Sequence, residues 1–168
     1  GRGIHHRLTG GARNFCQSRS FDAESQGMDF PRTCENPSEM RALGRELACE
    51  LSPGAVIGLD GELGAGKTEF VKGLAAGLGY KGVVTSPTFP LLHEYTAGLH
   101  VIYHLDFYRM EAEREIISLG WDELLEDPEG LVVVEWAGKF AGLLPAGTLR
   151  LRLDLTPEEG HRILRQAP

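Results

Sequence analysis

No stretch of this 168-residue chain stays apolar for the roughly 18–20 residues that a membrane-spanning helix requires, so no membrane association is expected. Cysteine is sparse. Cys16, Cys34 and Cys49 are odd in number and show no C-x-x-C spacing, which indicates neither a disulfide framework nor a zinc site. All three read as free thiols in a reducing compartment. Positive charge is also short, with 17 Lys and Arg against 24 Asp and Glu and a formal net charge of −7. Proteins that grip nucleic acid over a broad face draw that affinity from Lys and Arg on phosphates, so any nucleic-acid role here is indirect or local. Asparagine is nearly missing: Asn14 and Asn36 are the only two. That leaves no Asn-Lys-x-Asp motif of the kind with which common GTPases read guanine. What remains is ordinary globular composition, at a length that suits one domain.

Residues 1–27 differ from the rest. They carry four Arg, no acidic residue before Asp22, many Gly and Ser, and no apolar period, and are expected to be unstructured. Because the chain opens on Gly1, this leader reads as vector-derived or upstream translated sequence, with Met28 as a candidate natural start. Its Arg-rich, acid-poor character also resembles an organelle transit peptide. His5 and His6 have metal-binding chemistry but no surrounding pattern to make a site. Residues 28–168 are expected to form a single domain.

From Asn36 the chain becomes orderly. Met40, Leu43, Leu47 and Leu51 recur at helical spacing, with Asn36 as N-cap, Pro37 at the first helical position and Glu39 at the third. GAVIGLDG then reads as a short buried strand over 55–59, and TEFVKGLAAGLG as a helix closing on Gly79. Between them lies GELGAGKT, residues 61–68, which fits G-x-x-x-x-G-K-[ST] in the strand-to-helix context that gives the pattern its meaning. Gly61, Gly64 and Gly66 let backbone N–H groups turn inward around phosphate oxygens. Lys67 reaches the β- and γ-phosphates, Thr68 offers a hydroxyl to Mg²⁺, and the helix directs its positive end at the anion.

A phosphate cradle alone does not separate an ATPase from a kinase. In VVTSPTFPLLHEY, Val83-Val84 reads as a strand end, Ser86-Pro87 as a turn and 88–95 as an extended segment, with a hairpin turn at 96–98. Thr88 is either a β-forming residue after proline or a hydroxyl that senses the γ-phosphate. His104, Asp106 and Tyr108 share one strand face. Asp106 there suits Mg²⁺ or the attacking water and Arg109 a phosphate or partner, although the strand pattern alone favours a surface Asp106–Arg109 pair and a structural His104. EAEREIISLGWDELLED reads as one helix with a solvated acidic face. LVVVEW reads as a buried parallel strand ending in Glu135, where P-loop folds place a magnesium-associated acid. Trp136 either walls the nucleotide site or plugs the core. TLRLRLDL, residues 148–155, alternates cleanly and reads as an antiparallel edge strand.

GELGAGKT, TSPTF, HLDFYR and VVVEW, in this order and at these separations, resemble the TsaE family, the small bacterial ATPase that takes part in making threonylcarbamoyladenosine on tRNA. The likeness runs from about Asn36 to the C-terminus. It implies an α/β P-loop NTPase fold with three layers and a mixed, mostly parallel sheet with antiparallel edge strands. It also implies ATP and Mg²⁺ as cofactors, hydrolysis that is slow alone, and a cytoplasmic protein acting on a TsaB–TsaD pair that carries the tRNA. On the family's pattern Gly61, Glu62, Leu63, Gly64, Ala65, Gly66, Lys67 and Thr68 would wrap the phosphates, and Thr68 and Glu135 would ligate Mg²⁺. Thr88, Asp106, Arg109 and Trp136 would belong to the switch and catalytic region. Glu62, Glu69 and Met40 stand where the family usually has Asp, Thr and Thr. A small-molecule kinase and a nucleotide-gated adaptor are the competing readings.

Overall fold

The computed structural model describes residues 27–97 and 100–168. The leader, with His5, His6 and Cys16, lies outside the described residues, apart from its last residue.

Seven strands form one sheet. They are β1 (Arg32–Cys34), β2 (Val56–Gly61), β3 (Leu92–Ala97), β4 (His100–Asp106), β5 (Gly130–Glu135), β6 (Leu149–Leu155) and β7 (Arg162–Gln166), in the order β1-β7-β6-β2-β5-β4-β3. The central run β6-β2-β5-β4 is parallel throughout, while β7 and β3 run antiparallel to β6 and β4. The family-implied architecture is therefore present.

β6 departs from the edge position its alternation suggested: it is an interior strand, parallel to β2 on one side and antiparallel to β7 on the other. Its polar side stays wet because charge pairs cover it, Arg150 with Asp60 and Arg152 with Asp154. Alternation reports which face is exposed, and an interior strand can expose one face as readily as an edge strand can.

α1 (Pro37–Ala48) and α2 (Lys67–Gly77) cover one sheet face. Asn36 caps α1 as expected, its Oδ1 accepting from Glu39 N at 3.0 Å. The Glu39 carboxylate reaches back to accept from Glu35 N, one residue beyond the N-cap N–H of a standard capping box. The helix axes approach closely because glycines face each other: a Cβ on Gly44 would lie 2.3 Å from Phe70 O, and one on Gly73 2.0 Å from Arg41 O. The opposite face carries α3 (Glu113–Ser118), α4 (Trp121–Glu126) and a 3-10 segment (Ala137–Leu143). The single acidic helix expected here is two short ones, because Gly120 takes φ +85° and turns the chain. Ile116 and Trp121 fill this second core, while Ile117 faces solvent.

Two more expectations change. Residues 83–87 form no strand, and the chain turns at 88–90 before β3 begins at Leu92. Pro87 can donate nothing, and its carbonyl accepts from Leu91 N at 2.7 Å. Cys34 is a free thiol, buried and pushed up to about 11 by desolvation and by Glu39, but Cys49 is disulfide-bonded. Spacing arguments address local motifs and do not report whether a cysteine is bridged.

Candidate phosphate-binding site

β2 delivers the chain into the glycine loop at the C-terminal end of the sheet, where parallel α/β folds open their crevice. Gly61 takes φ +144°, and a Cβ there would lie 2.5 Å from Leu153 O, so the strand can leave the sheet only on a glycine. Gly66, at φ +105°, starts α2 without any side-chain cap. The first N–H groups of an eleven-residue helix are thus free for an anion. Met40 from α1 packs close beside, its Cε 3.6 Å from where a Gly66 Cβ would stand.

Lys67 is only 5% exposed. Its Nζ donates to the carbonyls of Gly61 at 2.7 Å and Glu62 at 2.9 Å, and lies 4.4 Å from the centre of the Trp136 ring. Burial lowers the ammonium below its usual range, and the carboxylates of Glu135, Asp106 and Asp60 pull it back up. Trp136 sits at φ +59°, half-buried, with its ring also against Tyr108. It does both things the sequence allowed, lying against Lys67 of the loop and packing on the second core.

The acids arrive by register. Leu59 of β2 pairs with Glu135 of β5, and Asp106 of β4 pairs with the same Glu135, so two carboxylates end adjacent parallel strands beside the loop. Glu135 Oε1 accepts from Thr68 Oγ1 and from His104 Nε2, both at 2.9 Å. Asp106 Oδ2 accepts from Thr88 Oγ1 at 2.7 Å and Ser86 Oγ at 3.5 Å, and Oδ1 from Tyr108 N at 2.8 Å. The surface Asp106–Arg109 pair does not form: Asp106 is 2% exposed, and Arg109 lies over the exposed Phe89 ring at 4.8 Å. Tyr108 falls beyond β4 and points to solvent, leaving His104 and Asp106 on the α2 face.

Lys67, Thr68, Glu135, Asp106, Thr88 and Trp136 thus converge, whereas Arg109 stands one step out on the loop side. Sequence reasoning missed Asp60, which accepts from Gly138 N at 2.7 Å and pairs with Arg150. An acid one residue before a phosphate loop was the available signal. It also missed that Glu69, in the first turn of α2, is gripped by Arg41 and Lys72.

The residues fit a magnesium nucleotide. A Cβ on Gly64 would meet nothing within 4 Å, so the crown of the loop is open. Thr68 and Glu135 offer two hard oxygens, and no fuller cluster of His, Cys, Asp and Glu exists among the described residues. Mg²⁺ commonly takes one or two protein oxygens and completes its shell with water and phosphate.

Fold and loop together define a P-loop NTPase architecture. The family model "Threonylcarbamoyl adenosine biosynthesis protein TsaE" matches residues 34–164, and the chain belongs to the TsaE family. The tRNA threonylcarbamoyladenosine biosynthesis protein TsaE of Bacillus subtilis (strain 168) is 45% identical over 128 residues, covering 76% of this chain and 79% of that protein. Its counterpart in Treponema pallidum is 40% identical over 113 residues, covering 67% and 82%. A crystal structure of Bacillus subtilis YdiB superposes with a TM-score of 0.69 at 34% identity, over 82% of this chain and 84% of that one.

Proposed function

We propose that residues 28–168 form one Mg²⁺-dependent ATPase domain, the ATP-hydrolysing component of the machinery that makes threonylcarbamoyladenosine at position 37 of tRNA. It acts in the cytoplasm on a TsaB–TsaD complex that carries the RNA. The observation that carries this reading is the contact between Thr68 and Glu135 beside a buried Lys67, at the mouth of an open glycine loop. Family membership supports the pathway, and the deficit of positive charge supports delegation of tRNA to a partner.

Lys67 and the loop N–H groups hold the phosphates and stabilise charge on the transferring phosphoryl group. Thr68 and Glu135 would hold Mg²⁺, which would supply neutralisation of the phosphate charge when bound. With Glu135 given to the metal, Asp106 at the end of the adjacent strand takes the water-orienting role. Thr88, hydrogen-bonded to Asp106, sets its orientation and reports the γ-phosphate. Trp136 screens Lys67 from solvent.

The test is Mg²⁺-dependent ATP hydrolysis by the purified chain, alone and with TsaB–TsaD and tRNA. Stimulation by the complex and loss of at least about 100-fold in Lys67→Ala are expected, the scale of losing a preorganised charge contact. Turnover in Lys67→Ala equal to wild type would sink the scheme. Indifference to the complex alongside phosphorylation of a small acceptor would install the kinase reading instead.

A further inference from the structure

Behind Glu135 runs a second row of buried hydrogen bonds. A carboxylate only accepts, so the contact between Glu135 Oε1 and His104 Nε2 places a hydrogen on Nε2. The other ring nitrogen, Nδ1, lies 3.2 Å from Tyr95 Oη, and Tyr95 Oη lies 3.1 Å from the carbonyl oxygen of Thr85. His104 is 0% exposed and Tyr95 4%, so these groups depend on one another for partners. Thr85 opens the segment that carries Ser86 and Thr88, whose hydroxyls rest on Asp106. The loop is therefore tied to both acids: to Asp106 directly, and to Glu135 through Tyr95 and His104.

The proton count makes this tie two-positional. With Nε2 donating to Glu135, a neutral ring presents Nδ1 as an acceptor. The single Tyr95 hydroxyl hydrogen then faces two acceptors, Nδ1 and Thr85 O, and serves one at a time. Turned to Thr85 it pins the loop; turned to His104 it braces the ring that holds Glu135. We propose that His104 and Tyr95 are positioning residues that hold Glu135 for Mg²⁺ and couple that state to the loop 85–91, so that metal engagement at Glu135 changes the hold of Tyr95 on the loop that carries Thr88. The coupling rests on the ATPase reading above, and neither residue touches the reacting atoms.

The test uses a non-hydrolysable ATP analogue, with Mg²⁺ titrated at fixed analogue, and amide hydrogen exchange of peptides covering 85–91 with and without Mg²⁺. The variants are His104→Gln and Tyr95→Phe. Loss of an outer-shell partner weakens metal affinity by about 10–100-fold, so His104→Gln is expected to raise the Mg²⁺ requirement by about tenfold while Mg²⁺-free analogue binding is unchanged. Tyr95→Phe keeps the ring packing against Tyr80 and His104. It is expected to fold and to lose most of the Mg²⁺-induced change in exchange at 85–91. It keeps the proposal testable should His104→Gln fail to fold, which thermal unfolding reveals. A wild-type exchange response in Tyr95→Phe, or a wild-type Mg²⁺ requirement in folded His104→Gln, overturns the relay. Should the wild-type chain bind no analogue, the ATPase reading falls and the relay with it; should it bind while the variants match it, the relay alone falls.

Discussion

Glu69 stands one position past Thr68, beside the loop proposed to hold phosphate, and a bare carboxylate there would oppose an anion. Burial alone would raise its pKa, but hydrogen bonds from Lys72 and Arg41 outweigh that and hold it below the usual carboxylate range. The carboxylate is thus ionised in the fold and its charge is met twice over. The sign of the linkage follows: a depressed folded pKa stabilises the fold above the ordinary glutamate value, and that contribution drains away as pH falls through the lowered one. Glu69→Gln is therefore expected to cost under about 1 kcal/mol near neutrality, as partly exposed ion pairs do, with the difference from wild type vanishing in acid. Urea unfolding of both proteins between neutral and acid pH checks it. A gap that persists undiminished in acid would mean that Glu69 acts through packing and not through charge.

The helix pair α1–α2 places Arg41 beside Glu69 and Met40 beside Gly66, and its closeness depends on Gly44 and Gly73. A methyl at Gly73 would meet backbone, which cannot swing aside as a side-chain tip can. Gly73→Ala is expected to destabilise by about 1–3 kcal/mol, the usual range for overpacking, and to lower nucleotide affinity because the first turn of α2 moves. Denaturant unfolding with a parallel binding titration reads both; unchanged stability would show that the helices can separate freely. These elements also show what was legible in the sequence. α1, β2, the glycine loop and α2 follow from local signals: an Asn-Pro cap, a short apolar run, a fixed motif. β5 was legible because its run is wholly apolar until Glu135. The relay of Tyr95, His104 and Glu135 was not, since it depends on the hairpin register of β3 on β4 and on the pairing of β4 with β5, which lies far along the chain. The break at Gly120 was masked by continuing helical spacing on both sides, and the interior place of β6 by an alternation that charge pairs sustain.

Across the whole molecule, charge and site are arranged at odds with a tRNA-binding protein. Four of the 17 basic residues but only two of the 24 acidic ones precede Met28, so the remainder of the chain is more acidic than the total suggests. Three basic side chains near the site are also committed inward: Lys67 to its own loop, Arg41 to Glu69, Arg150 to Asp60. The loop side presents Leu63, Val83 and Phe89 outward, each about four-fifths exposed, with Arg109 as an exposed cation over the Phe89 ring. Non-specific nucleic-acid affinity rises with the number of phosphates neutralised, and typical non-specific Kd values are about 10⁻⁴–10⁻⁶ M. This chain is expected to fall at or beyond the weak end of that range at physiological salt, and tRNA should alter the proposed ATP hydrolysis only when TsaB–TsaD is present. Filter binding of labelled tRNA to the isolated chain at several salt concentrations decides the matter. Tight, steeply salt-dependent retention would require a basic face that the described residues do not supply, and would move the RNA contact from the partner to this protein.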